Sequence, residues 1–171
     1  DEEEAREKLE EVVNNGSALE IFKEFITRQG GNGDLIDHPS LLPQAKHIVD
    51  IKSTESGYIQ HIEADEVGMS ALELGAGRET KDSIVDLAVG IELIKKVGDK
   101  VNIGDTIAKI YSNDEEKTER AIERLLNTYT FSNTKVAPPK LINGIVNKDG
   151  EFRSVNYKNQ NKKSIDGEKN I

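Results

Sequence analysis

The chain has 171 residues, no cysteine, 35% hydrophobic and 32% charged residues, and a formal net charge of -9. Disulfides and zinc-thiolate sites are excluded, and the acidity argues against nucleic acid or an anionic membrane as the main partner. No apolar run approaches the roughly 18 residues needed to span a bilayer, and the acidic start DEEEAREKLEE lacks the basic-then-apolar pattern of a signal peptide.

A cysteine-free composition fits a cytoplasmic home. A start in mid-helix, without an initiator Met, reads most simply as that of a fragment of a longer protein. Residues 1–14 place Ala5, Leu9, Val12 and Val13 at near-helical spacing, with acidic residues in the first turn. Gly16 suits a left-handed stop, and Ser17-Ala18-Leu19-Glu20 reads as a capping box opening a second helix. Leu19, Phe22 and Ile26 share a face of that helix until Gly30-Gly31 ends it. Residues 1–30 are thus predicted to form a helical hairpin, whose apolar stripe needs a covering surface because two short helices alone bury too little.

Residues 31–45 are turn-rich and form a predicted linker. From Lys46 the pattern turns strand-like, with Ile48 and Ile51 in one run and Tyr58, Ile59 and Ile62 in another, Ser56-Gly57 making the turn between. Residues 65–74 read as a helix capped by Asp65 and ended by Gly75. Ile84 to Val97 is a long apolar-rich run, with Gly90 as an expected bulge or point of close approach. Two Gly-Asp pairs, Gly98-Asp99 and Gly104-Asp105, sit among apolar residues at a spacing too short for a helix and suited to tight turns. Asp114 to Asn127 is an amphipathic helix with Ala121, Ile122, Leu125 and Leu126 on its apolar face, and Thr128 to Thr134 is rich in strand formers. A domain over 46–146 is therefore expected, followed by a polar tail at 147–171 predicted to be disordered.

Few residues carry a chemical motif. His38, His47 and His61 fit no metal-binding spacing, so a structural or surface role is expected for each. Asp99 and Asp105 could be paired carboxylates for acid–base work, but Asp after Gly in a tight turn is a turn signature and is the preferred assignment. Gly75-Ala76-Gly77-Arg78 could cradle a phosphate on its N–H groups. No Gly-Lys-Ser/Thr follows, so a helix C-cap and tight turn is preferred, with Arg78 held by a nearby carboxylate.

Leu74-Gly75-Ala76-Gly77-Arg78, Asp86-Leu87-Ala88-Val89-Gly90, the run from Val97-Gly98-Asp99 to Ile110, and Tyr111-Ser112-Asn113 occur in an order that resembles the C-terminal part of the pyrimidine-nucleoside phosphorylases, the family of thymidine phosphorylase. Leu42-Pro43-Gln44-Ala45 and the helical hairpin are similar to the segment leading into that domain. The resemblance implies an α+β fold: a helical hairpin, then a C-terminal α/β domain with a barrel-sandwich (hammerhead-like) core. It implies phosphorolysis of a pyrimidine nucleoside to free base and pentose 1-phosphate, with inorganic phosphate as co-substrate, no cofactor or metal in this stretch, and a homodimer formed through a region absent from this chain. The family's phosphate- and base-binding motifs do not occur here, so no catalytic residue carries over and the chain alone is expected to be inactive. A loop of Gly75, Gly77, Arg78, Glu79, Thr80 and Lys81 is implied to face the cleft and help the lobes close.

Two other classes are weighed. The GDKVNIGDTIAKI run also resembles half of a biotinyl or lipoyl carrier domain, but the segment Met69-Ser70-Ala71-Leu72-Glu73 lacks the carrier lysine. A non-catalytic interaction module would use the acidic helix or the polar tail, although charge runs are usually solvated faces.

Overall fold

A computed structural model describes residues 2–78 and 80–154. The first helix, α1 (Glu2–Asn14), and the second, α2 (Ser17–Arg28), meet at Gly16, which takes a left-handed φ of 83°. The expected capping box does not form. Asn15 Oδ1 accepts the Ser17 N–H at 2.9 Å, while the Ser17 hydroxyl turns back toward the Val12 carbonyl. With Asn15 adjacent, the tighter Asx contact takes the place of the Ser cap.

No residue of α2 is buried, and Leu9, Val13, Ile21, Phe22 and Phe25 all face solvent. The connection that follows contains two 3-10 turns, Gly33–Leu35 and Pro39–Leu41, and an ion pair from Lys23 to Asp37 ties it to α2.

The strands are β1 (His47–Lys52), β2 (Gly57–Ile62), β3 (Gly90–Leu93), β4 (Lys100–Val101), β5 (Thr106–Ser112), β6 (Tyr129–Ser132), β7 (Gly144–Val146) and β8 (Phe152–Ser154). Helix α3 (Ala64–Leu74) follows β2, and α4 (Glu115–Leu126) follows β5. Antiparallel pairing gives one three-stranded sheet of order β1-β5-β3, another of order β4-β2-β6, and the hairpin β7-β8. The turn at Ser56-Gly57 does not fold β1 onto β2 but carries the chain from the first sheet to the second.

Both sheets contribute to one core: Ile51, Ala108, Ile107 and Ile110 from the first, Ile59, Val101 and Tyr129 from the second. Leu74 of α3 and Ala121 and Leu125 of α4 close it. A fully buried Ile, Leu or Val is stabilising by roughly 1.5–3 kcal/mol. The exposed apolar residues of α1 and α2 gain none of this, so stability resides in residues 46–132. Helix α4 is positioned by its cap, Asp114 Oδ1 accepting the Lys117 N–H at 2.9 Å, and by Arg124, which reaches Glu66 at 2.9 Å and Glu73 at 3.4 Å on α3.

Three local expectations change. Only Gly90–Leu93 of the apolar run is a strand, and Ile84 and Leu87 are 92% and 79% exposed. Gly90 pairs in regular register, and a Cβ there would meet nothing within 4 Å, so it marks neither a bulge nor a close approach. Helix α3 begins at Ala64 after an extended Glu63, so Asp65 lies inside the first turn, where its charge suits the helix dipole, instead of capping it. The tail expectation is corrected for residues 147–154: Val146 pairs with Phe152 across a turn in which Asn147 Oδ1 accepts the Asp149 and Glu151 N–H groups. Residues 155–171, the rest of that predicted tail, lie outside the described residues.

Candidate functional site

The glycine turn after α3 is a helix C-cap. Gly75 sits at φ 101°, its N–H bonds to the Leu72 carbonyl at 2.9 Å, and the Ala76 N–H bonds to the Ala71 carbonyl at 3.1 Å. This paired pattern is a Schellman motif. Two of the N–H groups a phosphate cradle would use, those of Gly75 and Ala76, are already taken by helix carbonyls, and the turn lies at the negative end of the helix dipole. The turn is therefore ill suited to an anion.

Past the cap, Gly77 lies under Leu72, whose Cδ1 would stand 2.7 Å from an added Cβ. Arg78 is exposed and forms no ion pair among the described residues. Glu79 lies outside them. Thr80 donates its N–H to Ser83 Oγ at 3.0 Å and accepts the Ser83 N–H at 3.2 Å, and Lys81 projects from this short turn, exposed. Gly75, Gly77, Arg78, Thr80 and Lys81 thus share one loop, which returns where the Asp86 N–H bonds to the Gly75 carbonyl at 2.9 Å.

Asp86 is the best-connected polar group of this region. Its Oδ2 accepts Asn113 Nδ2–H at 2.7 Å and its Oδ1 accepts the Ala88 N–H at 2.9 Å. These bonds, that from Asn113 foremost, hold its carboxyl below the ordinary value of 3.8. Asn113 Oδ1 accepts the Lys46 N–H at 2.8 Å, so the same amide grips the start of β1. Both residues stand in motifs legible in the sequence, yet nothing in their spacing announces that they meet.

The remaining candidates are structural. Asp99 Oδ2 accepts the Lys96 N–H at 2.9 Å, and Asp105 Oδ2 accepts the Asn102 N–H at 2.8 Å, so each carboxylate serves its own turn. His61 meets Glu63 at 3.0 Å on the exposed end of β2, while His47 opens β1 and His38 lies in the linker. Among the described residues, no group of three or more His, Cys, Asp or Glu is placed to hold a metal ion. No described helix is long and apolar enough to cross a membrane. Met69, at the place where a carrier domain would present its lysine on a hairpin, lies within helix α3, which removes the carrier alternative.

Comparison with known proteins agrees with the motif order. Residues 58–132 match the family described as pyrimidine nucleoside phosphorylase C-terminal domain. The chain is 48% identical over 140 residues to a pyrimidine-nucleoside phosphorylase of Geobacillus stearothermophilus, covering 82% of this chain and 32% of that protein. It is 45% identical over 144 residues to the Bacillus subtilis protein of the same name and 43% identical to that of Staphylococcus aureus, each covering 84% of this chain and 33% of the relative. The chain therefore spans about a third of the length of the curated relatives it matches. With the Gly-Ala-Gly-Arg cap, the Asp86 segment and the doubled Gly-Asp turn folded into one α+β unit, residues 58–132 are a C-terminal domain of the pyrimidine-nucleoside phosphorylase family.

Proposed function

We propose that this chain supplies the C-terminal domain of a pyrimidine-nucleoside phosphorylase, which converts a pyrimidine nucleoside and inorganic phosphate to the free base and a pentose 1-phosphate. The observation that carries this is the 43–48% identity to three such enzymes, extending through and beyond the matched domain. In this reading residues 46–146 form one wall of the active-site cleft, residues 31–45 link it to the other lobe, and the hairpin of residues 1–30 belongs to that lobe. The two small sheets around a common core support a barrel-sandwich, hammerhead-like assignment. The enzyme is a cytoplasmic homodimer, paired through its other lobe, and needs no cofactor beyond its phosphate co-substrate.

Closure of such a cleft brings phosphate to the sugar's anomeric carbon and excludes water, so phosphorolysis outruns hydrolysis. The loop carrying Gly75, Gly77, Arg78, Thr80 and Lys81 faces the cleft. Arg78 and Lys81 there present cations to the approaching lobe, and neither touches the reacting atoms. Phosphate and the leaving pyrimidine anion both need fixed donors, and these come from the other lobe. Losing one such donor typically costs a factor of about 100–1,000 in rate, so the chain alone turns over nothing measurable. The test is an assay of the purified chain with uridine or thymidine and phosphate. Released base is expected only when the other two thirds of a phosphorylase is added. Turnover by the chain alone, after host phosphorylase has been removed, would place the active site within these 171 residues and overturn the lobe assignment.

A further inference from the structure

Asn113 joins two segments that leave the core in different directions. Lys46, bonded to its Oδ1, is where the linker becomes β1, and Asp86, bonded to its Nδ2, is where the loop from α3 returns. Asp86 passes the connection on, through its own N–H, to the Gly75 carbonyl at the C-cap of α3. None of the three residues belongs to the hydrophobic core, so the clamp adds little to burial. What it fixes is relative position: the linker entry and the loop's return are held at one point beside the end of β5.

We infer that Asn113 is a positioning residue for the phosphorolysis proposed above, locking the linker entry at Lys46 and the loop return at Asp86 together so that a shift of the linker moves the loop. The inference rests on the phosphorylase reading. A side chain with one donor and one acceptor face suits the task, because both partners are set by a single planar amide. A displacement of about 1 Å at reacting groups can cost on the order of 100-fold in rate, so a loosened clamp acts on turnover more than on substrate capture.

The test uses a chimera in which this chain replaces the matching third of the Geobacillus stearothermophilus phosphorylase, alongside hydrogen exchange on the 171-residue chain itself. Asn113→Asp sets two carboxylates against each other. The double variant Asn113→Asp/Asp86→Asn exchanges amide and carboxylate, so that position 86 donates to position 113 while the Lys46 and Ala88 N–H groups keep their acceptors. For Asn113→Asp, faster exchange of the Lys46 amide and a fall in kcat of about tenfold with KM within about twofold are expected. The double variant should restore both. Should Asn113→Asp unfold the chain, Asn113→Ala, which adds no charge and removes both bonds, replaces it and is read by kcat and Lys46 exchange without the double variant. An unchanged kcat with faster Lys46 exchange would reduce the clamp to a structural staple and overturn the inference. A double variant no better than the single would do the same. A wild-type chimera without turnover would instead overturn the phosphorylase reading.

Discussion

Asp99 and Asp105 occupy the same place in two successive turns. Each donates its N–H at 3.0 Å to the carbonyl three residues back, Lys96 or Asn102, and returns a carboxylate to that residue's N–H. The residue before each, Gly98 or Gly104, is left-handed, with φ 95° and 89°. The surroundings differ. A Cβ on Gly98 would lie 3.0 Å from the Pro138 nitrogen and 3.2 Å from the Val136 oxygen, whereas at Gly104 it would meet nothing within 4 Å.

Gly104→Ala should therefore cost only the left-handed strain, roughly 1–2 kcal/mol. Gly98→Ala should cost more, since backbone atoms must also move. Urea unfolding of the two variants compares them directly. Equal losses would mean that the 136–138 segment yields freely.

Tyr129 is 6% exposed, and its hydroxyl has no hydrogen-bond partner among the described residues. Burial pushes its phenol up to about 12, and its ring stacks on Phe131 with centroids 6.3 Å apart. Removing an unpaired buried hydroxyl while keeping the ring is neutral or stabilising, so Tyr129→Phe should leave stability within about 1 kcal/mol or raise it. Because the folded value is above the ordinary 10.0, neutral Tyr129 favours the fold fully below pH 10, and that contribution is lost as pH rises toward 12. Wild type should lose stability across that interval more steeply than Tyr129→Phe. Identical alkaline profiles would show the hydroxyl to be solvated.

For Asp86 the sign is reversed. Asn113 and then the Ala88 N–H lower its value below 3.8, and Lys117 and Lys46 add attraction while partial burial opposes. The ionised carboxylate contributes stability that is present above 3.8 and lost as pH falls through the lower folded value. Acid titration followed by NMR should show the Asn113 side-chain amide signals shifting with the Asp86 carboxyl, below the usual Asp range. A midpoint at or above 3.8 would break the assignment.

Deleting residues 1–29 should change the unfolding free energy of the remainder by no more than about 0.5 kcal/mol, as removal of uncovered surface does. The intact chain, with Phe22 and Phe25 at 50% and 58% exposure, should bind a hydrophobic dye or self-associate, and the deleted form should not. Differential scanning calorimetry and light scattering separate these outcomes. A loss of several kcal/mol would mean that the hairpin docks on the core in solution.

What could be read from the sequence is what is decided over a few residues. The Gly-Asp turns and the apolar face of α4 both depend on contacts within four positions, and both were predictable. The capping box at Ser17 failed against an equally local competitor, Asn15. Assignments that depend on distant partners were not legible. Apolar content marked Ile84 to Val97 as one long run with a bulge or close approach at Gly90, but β5 offers only Gly90–Leu93 a pairing edge and leaves Ile84 and Leu87 in the open. The hairpin β7-β8 was hidden by its polar composition. The meeting of Asp86 with Asn113, the centre of the candidate site, follows only from bringing the end of β5 beside the loop from α3.

The crossing of β1 and β2 into different sheets also sets an order of events during synthesis. Strand β1 finds its partner only when Thr106–Ser112 is available, and β2 is not flanked on both sides until Tyr129–Ser132 arrives. Such distant pairings bring slow, concerted acquisition of structure, since chain closure precedes any favourable contact. A ribosome-bound chain that stops short of Ser132 can complete neither the second sheet nor the core around Tyr129, and must wait, open to proteases, for the last strand of that sheet.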